Sequence, residues 1–271
     1  MGFSNGQAHI GEPIDSYHLR PELSASMIKT LLDSPEMFHW QHVLNRPAVK
    51  PTDAMELGTV IHEDQLLAVW EQSWVEIPES ALSGNGHRRG AAWEQFKREN
   101  KGKILLKSDQ IEKIKWIREA VESNPFAAKL LDASSTNALN EITITADAPL
   151  SDGTTQAMRG RLDRLTDFVL DFKTISDLGE RTIKYRPVDH RWDIQAVNYQ
   201  LLVQSIRGGS LPDVYFIVVE TAVPYRCEVI CPCQQTLAAA ALVLQDAIEE
   251  IIERTKSGNW HRTDWPAPLI F

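Results

Sequence analysis

The chain has 271 residues, of which 43% are hydrophobic and 24% charged, with a formal net charge of −9. That length supports one large core or two small ones, and the composition is that of an ordinary globular protein. The acidic balance argues against wholesale wrapping of nucleic acid but leaves room for a local basic track. No apolar run approaches the roughly 18 residues of a membrane span, and the amino terminus shows no basic-then-apolar signal. A cytoplasmic protein with no membrane partner is therefore expected.

Residues 1–22 carry glycine, proline and polar residues without periodicity and read as an irregular arm. Ser24 reads as the N-cap of a short helix over Ala25–Asp33, which has to stop before Pro35. Ser34 caps a second helix with Pro35 at its first position and Met37, Phe38, Trp40 and Val43 as its apolar set. After a break at Pro47–Pro51, Asp53-x-x-Glu56 reads as a capping box. It opens a long helix over about 54–72 with Leu57, Ile61, Leu66, Leu67 and Trp70 inward. Within it Gly58 and His62 share a face. A glycine inside a helix costs about 1 kcal/mol relative to alanine, which points to a close approach by something else. By itself His62 reads as a satisfied histidine in a packed helix.

A strand is expected at Trp74–Ile77, followed by the glycine-rich basic loop SGNGHRRG, either a mobile cover or a plain surface loop. Helices at about 91–100 and 109–122, the second capped by Ser108, flank a short strand at Ile104–Leu106. A further helix spans 125–132. The segment SSTN leads to a strand at Glu141–Ala146 and a turn at Asp152-Gly153. Basic residues gather at His87–Arg89, Lys97–Lys107, Arg159–Arg164 and Arg181–Arg191. The Lys97–Lys107 group reads as a solvated face, whereas Arg159 and Arg161 are better placed to meet phosphate.

Arg159 to Lys173, RGRLDRLTDFVLDFK, reads as two strands joined by a tight turn. In the second strand Phe168, Leu170 and Phe172 point to one face, and Val169, Asp171 and Lys173 to the other. Whether Asp163 joins Asp171 depends on register, because a one-residue slip reverses every side chain. A two-residue loop would place Asp163 on the wrong side. A three-residue loop, 166–168, would set it directly opposite Asp171, and this odd loop is the expectation. Two facing carboxylates repel unless a cation lies between them, and hard divalent ions prefer oxygen ligands.

Downstream, Asp177–Arg186 has weak periodicity and reads as a mobile basic connection. A helix is expected over His190–Ile206, ending near Gly208-Gly209 and carrying Gln195 and Tyr199 four residues apart on one face. Such a pair is otherwise an ordinary polar edge. Strands at 214–220 and 226–231 and a long alanine-rich helix at 234–256 complete the chain. Cys227, Cys231 and Cys233 are crowded, but a structural zinc or iron–sulfur site needs about four ligands. They read as free, partly buried thiols in a reducing compartment.

The hairpin resembles the signature of the PD-(D/E)XK nuclease superfamily, with Asp163 as the first acid and Asp171-Phe172-Lys173 as the (D/E)XK element. The pieces YHLRPELSASMIKTLLDSPEMF, LGTVIHEDQLL, GRLDRLTDFVLDFKT and Gln195-x-x-x-Tyr199 are similar, in order and spacing, to those of RecE-type exodeoxyribonuclease VIII domains. The likeness to RecB-family nucleases is looser. It implies an α/β fold with a restriction-endonuclease-like αβββαβ core and a central mixed sheet. Residues 23–271 would form one nuclease domain, with a helical part at 23–135 and the catalytic core at 136–271.

The same resemblance implies that His62, Asp163, Asp171 and the Phe172 carbonyl bind Mg²⁺, with Mn²⁺ also supporting activity. Lys173 would orient or deprotonate the attacking water, and Gln195 and Tyr199 would contact the strand or brace the site. Glu141 and Glu63 are possible additional acids. The implied activity is 5′→3′ degradation of linear double-stranded DNA, leaving 3′ single strands for phage or prophage recombination. A RecT-type annealing partner and a ring-like homo-oligomer, commonly a tetramer, go with it. A RecB-like or adaptation-type nuclease that trims or nicks DNA, and a catalytically idle DNA-end-binding module, are the alternatives.

Overall fold

A computed structural model describes residues 2–46, 52–66, 73–132 and 137–261. In chain order the elements are β1 (Ser4–His9), α1 (Ile14–Leu19), β2 (Leu23–Ser24), α2 (Ala25–Asp33), α3 (Pro35–Phe38), α4 (Asp53–Leu66) and β3 (Trp74–Glu76). There follow α5 (Ala91–Glu99), β4 (Ile104–Leu106), α6 (Ser108–Ser123), α7 (Pro125–Leu130), β5 (Leu139–Pro149), β6 (Thr155–Leu165) and β7 (Val169–Ile175). Last come α8 (Glu180–Asp189), α9 (Trp192–Arg207), β8 (Val214–Glu220), β9 (Cys227–Ile230) and α10 (Gln234–Ser257).

Among the described residues the central sheet has seven strands, ordered β1-β5-β6-β7-β8-β9 with β2 added beside β6. It is mixed: β5, β6 and β7 run antiparallel in succession, whereas β7 and β8 are parallel. The succession α4, β5-β6-β7, α9, β8 is the expected αβββαβ core. Alternation along β7 and β8 sends residues to both faces. Val169, Val214, Phe216 and Val218 join a core under α2, α9 and α10, while Leu170, Phe172, Ile217 and Val219 join another under α4 and α6. The sheet is thus buried on both sides, as parallel strands require, and the face carrying Asp171 is as closed as its reverse.

Gly160 and Gly58 are among the glycines that mark where helices approach the sheet tightly. A Cβ on Gly160 of β6 would stand 2.7 Å from Leu202 and 3.1 Å from the Tyr199 ring, so α9 lies almost on the strand. A Cβ on Gly58 of α4 would meet Thr174 Oγ1 at 3.2 Å. The helix glycine does answer to a close approach, and the neighbour is β7.

Several expectations are corrected. The amino-terminal arm is not irregular: β1 pairs antiparallel with β5, and Phe3 is buried in the core. An edge strand is held by main-chain bonds, so its side chains need show no alternation. The capping residue of α4 is Thr52, whose Oγ1 accepts from Met55 N–H at 3.3 Å, and Asp53 already lies inside the helix. The expected extension of that helix over 67–72 falls outside the described residues, as do the break at 47–51 and most of SSTN. Of the apolar set on the second helix only Phe38 is buried, Met37, Trp40 and Val43 being exposed. The segment 180–189 is helical despite Pro187, with no fully buried residue to give it a periodic signature. The N-cap of α6 is Lys107, whose N–H donates to Gln110 Oε1, while Ser108 bonds Glu76. The basic loop is tied down through Arg88, which bonds the Leu105 carbonyl. The cysteines are free, but Cys231 and Cys233 are exposed and Cys231 lies just beyond β9. No described helix is long and apolar enough to cross a membrane.

Candidate metal centre and active site

The hairpin is closed by three residues: Leu165 pairs with Val169 and Arg164 with Leu170, so 166–168 form the loop. Beyond these two pairs β6 and β7 diverge, and β2 takes up Met158 and Arg159 on β6 instead. The gap is bridged by a side chain. Asp163 Oδ2 accepts the Phe172 N–H at 2.6 Å. Strands that splay apart inside a sheet leave room for a ligand, and here a cleft of about 910 Å³ opens, lined among others by His62, Glu141, Arg161, Asp163 and Lys173.

α4 delivers His62 into that gap. Its Nε2 lies 2.7 Å from Asp163 Oδ2 and its Nδ1 3.2 Å from Glu141 Oε1. One ligand atom from each of His62, Glu141 and Asp163 falls within 4.8 Å of the others, a spacing that suits a single cation. Burial disfavours a charged imidazole, but the Asp163 and Glu141 carboxylates outweigh it and raise the pKa of His62 to about 9. Burial likewise disfavours the Asp163 carboxylate, and the His62 charge nevertheless holds it below its ordinary value. Without a metal, an imidazolium proton supplies the positive charge.

Glu141 carries an independent mark. It sits near the start of β5 with φ 53°, in the left-handed region, while its neighbours Asn140 and Ile142 keep their pairing with Arg164 and Leu162. Such a conformation costs a non-glycine residue roughly 1–2 kcal/mol. The bonds Glu141 makes, to His62 and to Arg161 Nε at 2.6 Å, hold it there.

Asp171 is held differently. It is 1% exposed, and Oδ1 accepts from Gln195 Nε2 at 2.8 Å and lies 3.3 Å from the Tyr199 hydroxyl. The single proton of that hydroxyl is shared between Asp171 Oδ1 and the Arg161 carbonyl at 2.8 Å, and its oxygen accepts from Gln195 at 2.7 Å. Oδ2 touches the Lys173 ammonium but has no hydrogen bond of sound geometry. Burial, with Asp163 nearby, raises the Asp171 pKa despite Lys173. The Lys173 ammonium is further flanked by the rings of Phe216 and Trp192, at 5.8 and 6.0 Å.

The structure therefore gathers His62, Asp163, Asp171, Lys173, Gln195 and Tyr199 at one place, and adds Glu141 to His62 and Asp163. Phe172 enters through its N–H. Glu63 lines the cleft but bonds Ser73. Arg161 reaches the cleft, held by Glu141 and the Glu12 carbonyl. Arg159 is a correction: it is 6% exposed, bonds the Arg20 and Glu22 carbonyls and stacks over Tyr17 at 5.0 Å. It clamps the amino-terminal segment and is not presented to a phosphate.

A hard divalent cation fits this donor set. Two carboxylates and an imidazole converge, a strained glutamate is held among them, and a buried carboxylate oxygen beside them lacks a good donor. Splayed strands β6 and β7, an acid on each, and a lysine two residues past the second define a domain of the PD-(D/E)XK nuclease class. The chain belongs to the family described as "PDDEXK-like domain of unknown function (DUF3799)", whose model matches residues 24–263. Among solved structures, one from Eubacterium rectale described as "Putative exonuclease" is similar in fold. Its TM-score is 0.62 at 14% identity, over 92% of this chain and 88% of that one. A structure of SSO0001 covers 76% of this chain at 16% identity, but its TM-score of 0.30 carries no weight. No curated protein matches the chain.

Proposed function

We propose that this chain is a divalent-metal-dependent deoxyribonuclease. The observation that carries the reading is the approach of His62, Glu141 and Asp163 to within 4.8 Å of one another in a cleft that Lys173 also lines, with Asp171 buried behind it against Lys173. A bound Mg²⁺ or Mn²⁺ would lower the pKa of a water and neutralise charge on the phosphoryl group. The rest of the work falls to the chain. His62, Glu141 and Asp163 would hold the ion, with Asp171 and the Phe172 carbonyl as further candidate ligands. Lys173 orients the attacking water or takes its proton. Gln195 and Tyr199 fix the Asp171 carboxylate, and Arg161 at the cleft wall meets the scissile strand.

In finer terms we assign a 5′→3′ exonuclease on linear double-stranded DNA that leaves 3′ single strands for phage or prophage recombination. It acts as a ring-like oligomer with a RecT-type annealing partner, in the cytoplasm. These specifics rest on the resemblance of the sequence pieces. Incubation with linear and circular duplex DNA in Mg²⁺, Mn²⁺ or EDTA tests the exonuclease reading and its metal dependence, and end-labelled substrate tests the polarity. Metal-dependent loss of the linear form alone is expected. Nicked circles would assign an endonuclease instead, and a mobility shift without cleavage an idle binding module.

A further inference from the structure

Lys29 lies within the piece YHLRPELSASMIKTLLDSPEMF but outside the acid, lysine, histidine and glutamine–tyrosine set that marks the site, yet it reaches that site. From α2 its ammonium donates to Gln195 Oε1 at 3.0 Å. Gln195 Nε2 donates onward to Asp171 Oδ1 and to the Tyr199 hydroxyl. Lys29 is not among the residues lining the cleft. Burial, with the Lys173 charge nearby, lowers its pKa to about 8.

The donor inventory makes this chain of bonds directional. An ammonium only donates, so the oxygen end of the amide has to face Lys29; an ionised carboxylate only accepts, so the nitrogen end has to face Asp171. The two demands agree and leave the amide one orientation. Without Lys29 the amide is held from one side only. Its flipped form sets Oε1 against the carboxylate, and Asp171 is then free to turn away from Lys173.

We propose that Lys29 is a positioning residue for this centre, acting through Gln195. It fixes the side-chain amide so that the Gln195 and Tyr199 bonds converge on Asp171 Oδ1 and Oδ2 stays turned to Lys173. The consequence for turnover rests on the nuclease reading; the consequence for the amide does not.

The test has an arm for each. In ¹H–¹⁵N spectra of glutamine-labelled protein, with Gln195→Leu identifying the resonance, the two Gln195 amide protons are expected well separated and slow to exchange with water. Lys29→Met is expected to bring them together and speed exchange. Lys29→Arg, still a donor-only cation, keeps them apart. In cleavage of linear DNA, Lys29→Met is expected to lower kcat about tenfold, the lower end of what a ligand's outer partners supply. KM and its salt dependence stay as in wild type, and Lys29→Arg recovers most of the rate. If Lys29→Met does not fold, Lys29→Gln replaces it, and two exchanging forms of the Gln195 amide are the expected result. An unchanged Gln195 amide in the Met or Gln variant overturns the proposal. So does a raised KM with a salt slope smaller by about one, which would make Lys29 a phosphate contact. A wild-type protein that cuts nothing but shows the expected amide behaviour refutes the nuclease reading and leaves the positioning role standing.

Discussion

Asp163 and Asp171 come from one hairpin, but the protein holds them in opposite ways. Asp163 faces the open cleft, bonded to His62 and to the Phe172 N–H, with Glu141 close by. Asp171 is sealed under α9, braced by Gln195 and Tyr199 and touching Lys173. Burial acts against both charges, yet a neighbouring imidazolium lowers the pKa of Asp163 while that of Asp171 is raised. The open side is thus built to exchange a proton for a cation. The sealed side is built to aim one carboxylate and one amine. Two acids whose surroundings push them apart are what a site needs to divide binding from proton transfer.

Substitutions on each side should separate these roles. The largest effect is expected from Lys173→Met, which removes the amine and leaves the three cleft ligands in place. DNA cleavage should fall about 10²–10⁴-fold, the usual worth of a positioned acid or base, while Mn²⁺ affinity measured by calorimetry changes little. A comparable loss of affinity would merge the two sides into one. His62→Ala should act on the open side, weakening Mn²⁺ binding about 10–100-fold. Unchanged binding and activity would remove His62 from the site.

pH sharpens the same contrast. Since His62 holds its proton up to about 9, an ion binding at pH 7 has to displace it. Titrations in buffers of different ionisation enthalpy should show close to one proton released per ion at pH 7, about half near pH 9 and progressively less at higher pH. In His62→Ala the release should vanish. A smaller effect, remote from the cleft, is expected at the far end of β8. There Arg226 bonds Glu220 and holds its carboxyl at about 2, below its ordinary 4.5. A depressed acid stabilises the fold above its unfolded value, and that stability fades as pH falls from 4.5 through about 2. Glu220→Gln should therefore cost about 1–3 kcal/mol at neutral pH and nothing near pH 2, with metal binding intact. A penalty that persists in acid would contradict that origin.

Much of the sealed side was legible in the sequence, because its parts are local. Period two separates Asp171 from Phe172, the odd loop settles the register, and the i,i+4 spacing puts Gln195 and Tyr199 on one face. The open side was legible in part. His62 and Asp163 stand in recognisable pieces, whereas Glu141 joins through a left-handed conformation that no residue type announces. Lys29 escaped because its partner is 166 positions away and a lysine on a short helix looks like any surface charge. Arg159 misled for the converse reason: basic character can be read from sequence, but not that the Arg20 and Glu22 carbonyls take up the guanidinium beneath the Tyr17 ring. The β1 strand and α8 were missed because main-chain bonding and half-buried contacts, rather than an apolar stripe, hold them.

Titration of the purified protein with Mn²⁺, set beside Asp163→Asn, shows whether His62, Glu141 and Asp163 hold a cation. Asparagine keeps an oxygen for the Phe172 N–H but loses the charge that pairs with His62 and with an ion. The account predicts saturable binding to the wild type and at least about a hundredfold loss in the variant, taking a first ligand to weigh no less than its outer partners. Wild-type protein that binds no divalent ion, or a variant that binds as tightly, would contradict it.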